Sequence, residues 1–357
     1  MSTKNLLITF DYELFLGRRS GRPLDCMLLP TKKLLELLKA HGAKAIFFVD
    51  TTYLCRLKEQ SKSHPECNED LTAIANQLIE MIRDGHYVQP HIHPHWLDAI
   101  YDPSIREFDL TNIERYRFHQ LSSEDKKIVF TSSVNILKEI INPHFPAYKI
   151  NAFRAGGWSI QPFSDFKEQF LEHSIQYDLT VVNNLYQFSN AQVFDYSDAP
   201  KEHVYRFENR VVEKHPNGQF IQIGSSLVPI SKNLDLLDRI YKKLLNIFKL
   251  DKDYGLGEGQ ASYPIQGHTP RSKRGINIFS RTHEVASFEN LSLIKLMVYK
   301  KQLNHENFLH LVSHPKMLGR HNLYVMNQFL KSVYNNHTIE TDFINIAESY
   351  LKEKPSI

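Results

Sequence analysis

His86-Tyr87-Val88-Gln89-Pro90-His91-Ile92-His93-Pro94-His95 runs from a strand into a cluster of imidazoles. His86 to Ile92 reads as a buried strand. His91, His93 and His95 then crowd its end. Imidazole is the commonest transition-metal ligand and the side chain that titrates near neutral pH. A cluster this dense at a strand end indicates a metal site or an acid–base site; the competing reading is three solvated loop histidines. Pro94 pushes His93 out of the helical region and suits the first position of a helix. His91 therefore ends the strand and His95 enters a helical first turn. No Glu follows His91, and the prolines forbid a continuous helix, which excludes the HExxH zinc-protease helix.

Working outward, Leu6-Leu7-Ile8-Thr9-Phe10 is an apolar run of the kind buried in a parallel sheet, and it ends in Asp11-Tyr12-Glu13. Thr31 to His41 carries apolar residues at helical spacing and is stopped by Gly42. Ala43 to Val49 is a second strand, ending at Asp50, and Glu69 to Arg83 is a helix followed by Gly85. This alternation predicts a parallel α/β architecture. Further on, Ser122 to Ile141 is a long amphipathic helix with Ser122 or Ser123 as N-cap. Ile150 to Arg154 is a fourth strand, after which Gly156-Gly157 allows a sharp turn. Phe163 to His173 is a helix and Ile175 to Val182 a fifth strand. His203 to Phe207 and Gln219 to Ile223 form a hairpin around Pro216-Asn217-Gly218, within an antiparallel insertion at about 187–229. Leu234 to Phe248 and Phe288 to Gln302 are helices, separated by an irregular stretch at about 251–279. Phe308 to Val312 is a buried strand, and Asn322 to Val333 and Asp342 to Leu351 are closing helices. One domain over 1–357 is expected.

The chain has 357 residues, 42% of them hydrophobic, enough for a large core. A net charge of +3 without a clustered basic face argues against a nucleic-acid partner. Cys26, Cys55 and Cys67 have no metal-like spacing and no even count for a disulfide framework. No stretch suits a bilayer span, and the polar start Met1 to Asn5 shows no signal peptide. A cytoplasmic protein is the simplest expectation. The oligomeric state is not legible.

In parallel α/β folds the chemistry sits at the carboxyl ends of the strands, where this chain places Asp11, Glu13, the histidine cluster, Arg154, Asp178 and His314. Side chains alternate along a strand, so Asp11 and Glu13 share a face while Tyr12 points the other way. Two histidines and a carboxylate with an open position form a hydrolytic zinc-type shell. A second carboxylate can act as base, a fixed cation can orient it, and a separate His can protonate a leaving group. Singly, each has a bland reading as an N-cap, a structural ion pair or a turn residue.

These motifs resemble the polysaccharide deacetylase group (NodB-homology, carbohydrate esterase family four), from about Leu6 to Leu318. Thr9-Phe10-Asp11-Tyr12-Glu13 is similar to its Thr-Phe-Asp-Asp motif. Gly85-His86 followed by His91 and His95 is similar to its histidine motif, Phe153-Arg154-Ala155-Gly156-Gly157-Trp158 to its Phe-Arg motif, and Leu311-Val312-Ser313-His314 to its last. The resemblance implies a distorted (β/α)7 barrel and a divalent-metal hydrolase that removes acetyl groups from a carbohydrate, a water held on the metal making the attack. By the same resemblance Asp11 is the general base and His91 and His95 hold the metal. Arg154 orients Asp11, His314 is the general acid, and the backbone after Arg154 helps bind the oxyanion. Zinc is the leading metal, with cobalt, nickel or manganese also compatible. Tyr12 stands where the family has a metal-binding Asp. Either Glu13 takes over that role or the site works without metal. Tyr12, Gly156, Gly157, Trp96 and Trp158 are placed at the sugar, although the tryptophans fit burial in the rim equally. The third motif lacks the family's proline. His93 takes either a supporting place behind the ligands or an outward loop position. The basic loop Arg271-Ser272-Lys273-Arg274-Gly275 grips an acidic group or is simply solvated. The rival functions are a metal-independent hydrolase of a non-sugar amide and an inactive sugar-binding protein of this fold. Under the leading reading the substrate is an intermediate of a cell-surface glycan.

Overall fold

The structure is a computed structural model and describes residues 3–248, 275–278 and 280–352. The loop Arg271-Ser272-Lys273-Arg274 and most of the stretch at 251–279 lie outside the described residues.

The apolar runs of the sequence become strands β1 (Thr3–Tyr12), β2 (Ile46–Asp50), β3 (Tyr87–Ile92), β4 (Ala152–Ala155), β5 (Tyr177–Asp178), β6 (Phe220–Ile223) and β7 (Phe308–Ser313). They pair in parallel in the order β6-β5-β4-β3-β2-β1-β7. Two further strands complete a nine-stranded sheet, Val204–Phe207 antiparallel to β6 and Thr338–Glu340 beside β1. The hairpin read from Pro216-Asn217-Gly218 is therefore present, but its second strand is also the next parallel strand of the sheet. The sheet curls into a distorted (β/α) barrel. No ladder joins β6 to β7 among the described residues. Ser226 spans that gap: its N–H donates to the His310 carbonyl (3.1 Å) and its Oγ accepts from the His310 N–H (3.0 Å).

Helices α1 (Leu29–Ala40), α2 (Thr51–Gln60), α3 (Pro65–Arg83), α4 (Ser123–Ile141) and α5 (Ser164–His173) cover the outside. α4 buries Val129, Phe130, Val134, Leu137 and Ile141 at helical spacing, and Ser122 Oγ caps it by accepting from Asp125 N–H (3.1 Å). α6 (Lys232–Ile247), α7 (Leu296–Glu306), α8 (Arg320–Asn336) and α9 (Phe343–Lys352) follow. α7 starts later than the expected Phe288, because Ser287 caps a local turn through Asn290 N–H (3.0 Å) and Leu291 N–H (3.0 Å). Likewise only Tyr177–Asp178 of the expected fifth strand are laddered, with Val182 making a single bridge to Ser225.

The period of two along β1 sorts its side chains. Leu6, Ile8, Phe10 and Tyr12 join the core under the outer helices. Leu7 belongs to a separate cluster inside the barrel, with Ile46, Phe48, Ala152, Tyr177, Ile221 and Phe308, which Phe343, Ile346 and Ala347 of α9 close from below.

Candidate active site

Following the interior face of β1 upward from Leu7, the chain presents Thr9, then Asp11, then Glu13, all buried. The same walk on β4 goes from Ala152 to Arg154, and on β7 from Phe308 through His310 toward His314. These side chains converge. Arg154 is fully buried; its Nη1 donates to Asp11 Oδ1 (2.6 Å), its Nη2 to Thr9 Oγ1 (2.8 Å) and its Nε to the Leu179 carbonyl (3.0 Å). His310 Nδ1 faces the Gly224 carbonyl (3.1 Å), so it carries the proton, and Nε2 is left to accept from Arg154 Nη2 (3.2 Å). Burial and the Arg154 charge push His310 down to about 3, which keeps that ring neutral. Burial is the largest single influence and would raise Asp11, but Arg154, His91 and His314 together outweigh it and hold the carboxyl below its ordinary value.

Asp11 Oδ2 faces the cavity, 3.9 Å from His91 Nε2 and 3.7 Å from His314 Nε2. His314 is oriented from behind by Glu289: its Nδ1 lies 2.8 Å from Glu289 Oε1, which also accepts from the His314 backbone N–H. Burial opposes charge on this ring, yet Glu289, Glu13 and Asp11 together lift it to about 9. It is a protonated imidazole at neutral pH, facing an ionised carboxylate.

Glu13 takes the same side as Asp11, as its spacing requires. Lys316 Nζ donates to Glu13 Oε1 (2.9 Å) and to the Leu14 carbonyl (2.5 Å). Burial is the largest single influence and acts upward on Glu13, but Lys316, His93 and His91 together outweigh it and hold the carboxyl well below its usual range. Glu13 Oε2 is left 2.9 Å from His93 Nε2 and 3.5 Å from His91 Nε2, with no hydrogen bond of acceptable geometry. The two imidazole nitrogens face each other at 2.9 Å. His91 Nδ1 lies 2.8 Å from the Arg154 carbonyl, which can only accept, so a neutral His91 presents a bare lone pair at Nε2. One proton on His93 cannot serve both facing acceptors. A divalent cation would satisfy all three atoms. Glu13, His91 and His93 are the group among the described residues whose ligand atoms lie close enough to hold one. Their mutual distances resemble the roughly 3.4 Å between neighbouring ligands of a tetrahedral shell with bonds of about 2.1 Å. Two nitrogens and one carboxylate oxygen suit zinc and its neighbours rather than calcium or magnesium.

The expected ligand His95 is not in this group. Pro94 starts the 3-10 turn Pro94–Asp98, which carries His95 away behind His93. Its ring stacks on Tyr116 (centroids 4.8 Å), both nitrogens lack partners, and burial keeps it neutral. His93 is still extended (φ −116°, ψ 92°), so it shares the face of His91. The alternation that pairs Asp11 with Glu13 pairs His91 with His93, and this signal was available in the sequence. Gly156 makes room for it: a Cβ there would stand 2.4 Å from the Ile92 carbonyl oxygen and 2.7 Å from His93 Nδ1. Gly157 lines the cavity at φ +58°. The Ala155 N–H is already bound to Thr180 Oγ1 (2.9 Å), so it is not available to an oxyanion.

The cavity, of about 160 Å³, is bounded by Asp11, Glu13, His91, His93 and His314 on one side and by Tyr116, Trp158 and Gln192 on the other. Tyr12 and Trp96, expected at the sugar, lie elsewhere. Tyr12 points under α3 and donates to Gln77 Oε1 (2.7 Å); Trp96 is fully buried against Tyr53 and Phe108 and donates to Asp50 Oδ2. Asp178 also turns away from the barrel, because Tyr177 and Leu179 take the interior positions of that segment. Lys316 and Glu289 had no motif to reveal them, since each matters only through a partner distant in sequence.

No family model and no curated protein matches this sequence. Similar solved structures exist. One, from Mycobacterium smegmatis and named as a polysaccharide deacetylase, is 16% identical, covers 98% of this chain and 91% of its own, and has a TM-score of 0.48. The peptidoglycan deacetylase PdaC from Bacillus subtilis is 11% identical over 98% and 92%, with a TM-score of 0.36. Puue allantoinase is 11% identical over 99% and 92%, with a TM-score of 0.45. At these identities and scores none of them assigns an activity or a residue's role to this chain.

Proposed function

We propose that this chain is a carbohydrate deacetylase that uses a divalent cation, zinc foremost, held by Glu13, His91 and His93. The observation that carries the reading is the placement of two oppositely poised groups around that cluster. Asp11 is locked by Arg154 on one oxygen, and the protonated His314 stands 3.7 Å from the other. The cation, when bound, polarises the acyl carbonyl and readies a water for attack near neutral pH. Asp11 Oδ2 accepts the proton of the attacking water, while Arg154 fixes the carboxylate and His310 fixes Arg154. His314 Nε2 donates a proton to the departing amine or alcohol, and Glu289 keeps the ring aimed and charged. Gly156 keeps the wall low enough for His93 to stay in the cluster. Trp158, half-buried on the opposite wall, offers its face to a sugar ring.

The test is acetate release from a panel of N- and O-acetylated saccharides, run beside metal analysis of the purified protein. Release is expected from the wild type and is lost in Asp11→Asn and His314→Ala. Silence across the panel overturns the carbohydrate assignment. Full activity in protein shown to hold no metal overturns the cation assignment and leaves the Lys316–Glu13 ion pair as the structural role of that carboxylate.

A further inference from the structure

Beside the reaction cavity lies a larger one of about 590 Å³, within the range of small-molecule sites. The two share a wall. Tyr116 and Gln192 face the first while their chain neighbours Arg117 and Val193 face the second, and Trp158 of the first meets Phe194 of the second edge-on, centroids 6.2 Å apart. The lining is mainly apolar, with Phe163, Phe188, Phe194 and Val211 around it. Gln161, Ser164, Asn209 and Arg210 also line it, the last beside Glu213 (3.7 Å), but two other polar residues carry buried atoms without a partner. Arg117 is half-buried, its Nε is buried without a hydrogen-bond partner, and among the described residues no carboxylate lies within ion-pair distance of it. His119 Nδ1 is also buried and unpartnered. The one carboxylate of the lining, Asp195, is already used by Ser197, accepting from its N–H (3.0 Å) and its Oγ (2.5 Å).

A buried donor left unpaired is costly, and a guanidinium fork matches a carboxylate or phosphate in two-point geometry. We propose that this second cavity binds an organic anion with an apolar body, its charged head on Arg117 and His119 and its body among the phenylalanine rings. A neutral ligand would fill the space and leave Arg117 unanswered. The inference is independent of the reaction read at the neighbouring site.

Isothermal titration of the full chain with octyl phosphate below its micellar concentration tests it, with 1-octanol, inorganic phosphate and glucuronate as comparison ligands. Octyl phosphate is expected to bind at least about tenfold more tightly than each of the others, and Arg117→Gln to lose about tenfold or more, with partial recovery in Arg117→Lys. Val193→Trp, at a half-buried wall position, is expected to weaken binding by obstruction, and it keeps the test open should Arg117→Gln fold poorly. Equal binding by Arg117→Gln, by octanol or by inorganic phosphate overturns the proposal, as does no binding at all. Tighter binding of glucuronate overturns it in favour of an acidic-sugar subsite.

Discussion

The two ends of the barrel interior are made by the same strands and have opposite chemistry. At the base, Leu7, Ile46, Phe48, Ala152, Ile221 and Phe308 meet Phe343 and Ile346 of α9 in an apolar cluster. At the rim, a few residues further along the same strand faces, Asp11, Glu13, His91, His93 and Arg154 are all nearly inaccessible to solvent. Arg154 marks the seam: its guanidinium carbon lies 4.3 Å from the centroid of the Phe48 ring, while its nitrogens serve the polar layer. The contrast teaches how unpaired polar atoms are tolerated. A well-packed apolar base holds the strands in register, and the rim can then keep Glu13 Oε2, His93 Nδ1 and both nitrogens of His95 without a hydrogen-bond partner.

If the base carries stability and the rim carries chemistry, variants at the two ends separate cleanly. Phe343→Ala should cost about 3–5 kcal/mol of stability, read from denaturant midpoints, because it empties a buried aromatic site; metal content per folded molecule should not change. A matching loss of metal would break the division of labour. At the rim, Asp11→Asn should lower acetate release about a thousandfold while leaving metal content intact. A parallel loss of metal would make Asp11 a ligand rather than the base.

Within the rim, His93→Ala should reduce metal affinity by at least about tenfold, as even outer partners of metal ligands cost ten- to a hundredfold. His95→Ala should cost less, judged by competition with a chelator; the reverse order would return His95 to the ligand set. The smallest effect concerns Asp178, the carboxylate turned out of the barrel. Asp11 has Arg154 beside it, whereas burial dominates at Asp178 and raises it to about 7. Its protonated form is the better accommodated one, so its contribution is full below the unfolded value near 4 and fades as pH rises toward 7. Stability should therefore increase by about 1 kcal/mol per unit on going from pH 7 to pH 6, and Asp178→Asn should remove that slope. An unchanged slope in the variant would show that other groups set it.

Much of this was legible in local sequence. The apolar runs of β1, β2, β3 and β7 gave strands, Gly42 and Gly85 ended helices at positive φ, and Ser122 capped α4 as its hydroxyl predicts. Asp11 and Glu13 were placed on one face by alternation alone. The turn that Pro94 predicts at His95 is present, but the pairing of His91 with His95 as ligands came with the resemblance, and it is His93, the last extended residue, that stands beside Glu13. Tyr12 stands inside the first motif and Trp96 directly after the histidines, and packing turned both away from the cavity.

The sequence by itself determined the period of each segment, and with it which side chains share a face, since backbone geometry enforces alternation over neighbouring residues. Only the tertiary structure decided which faces meet. Glu289 behind His314, Lys316 on Glu13 and Arg154 across to Asp11 bridge 25, 303 and 143 positions. Such contacts exist only after the sheet has curled and brought the carboxyl ends of its strands around one cavity.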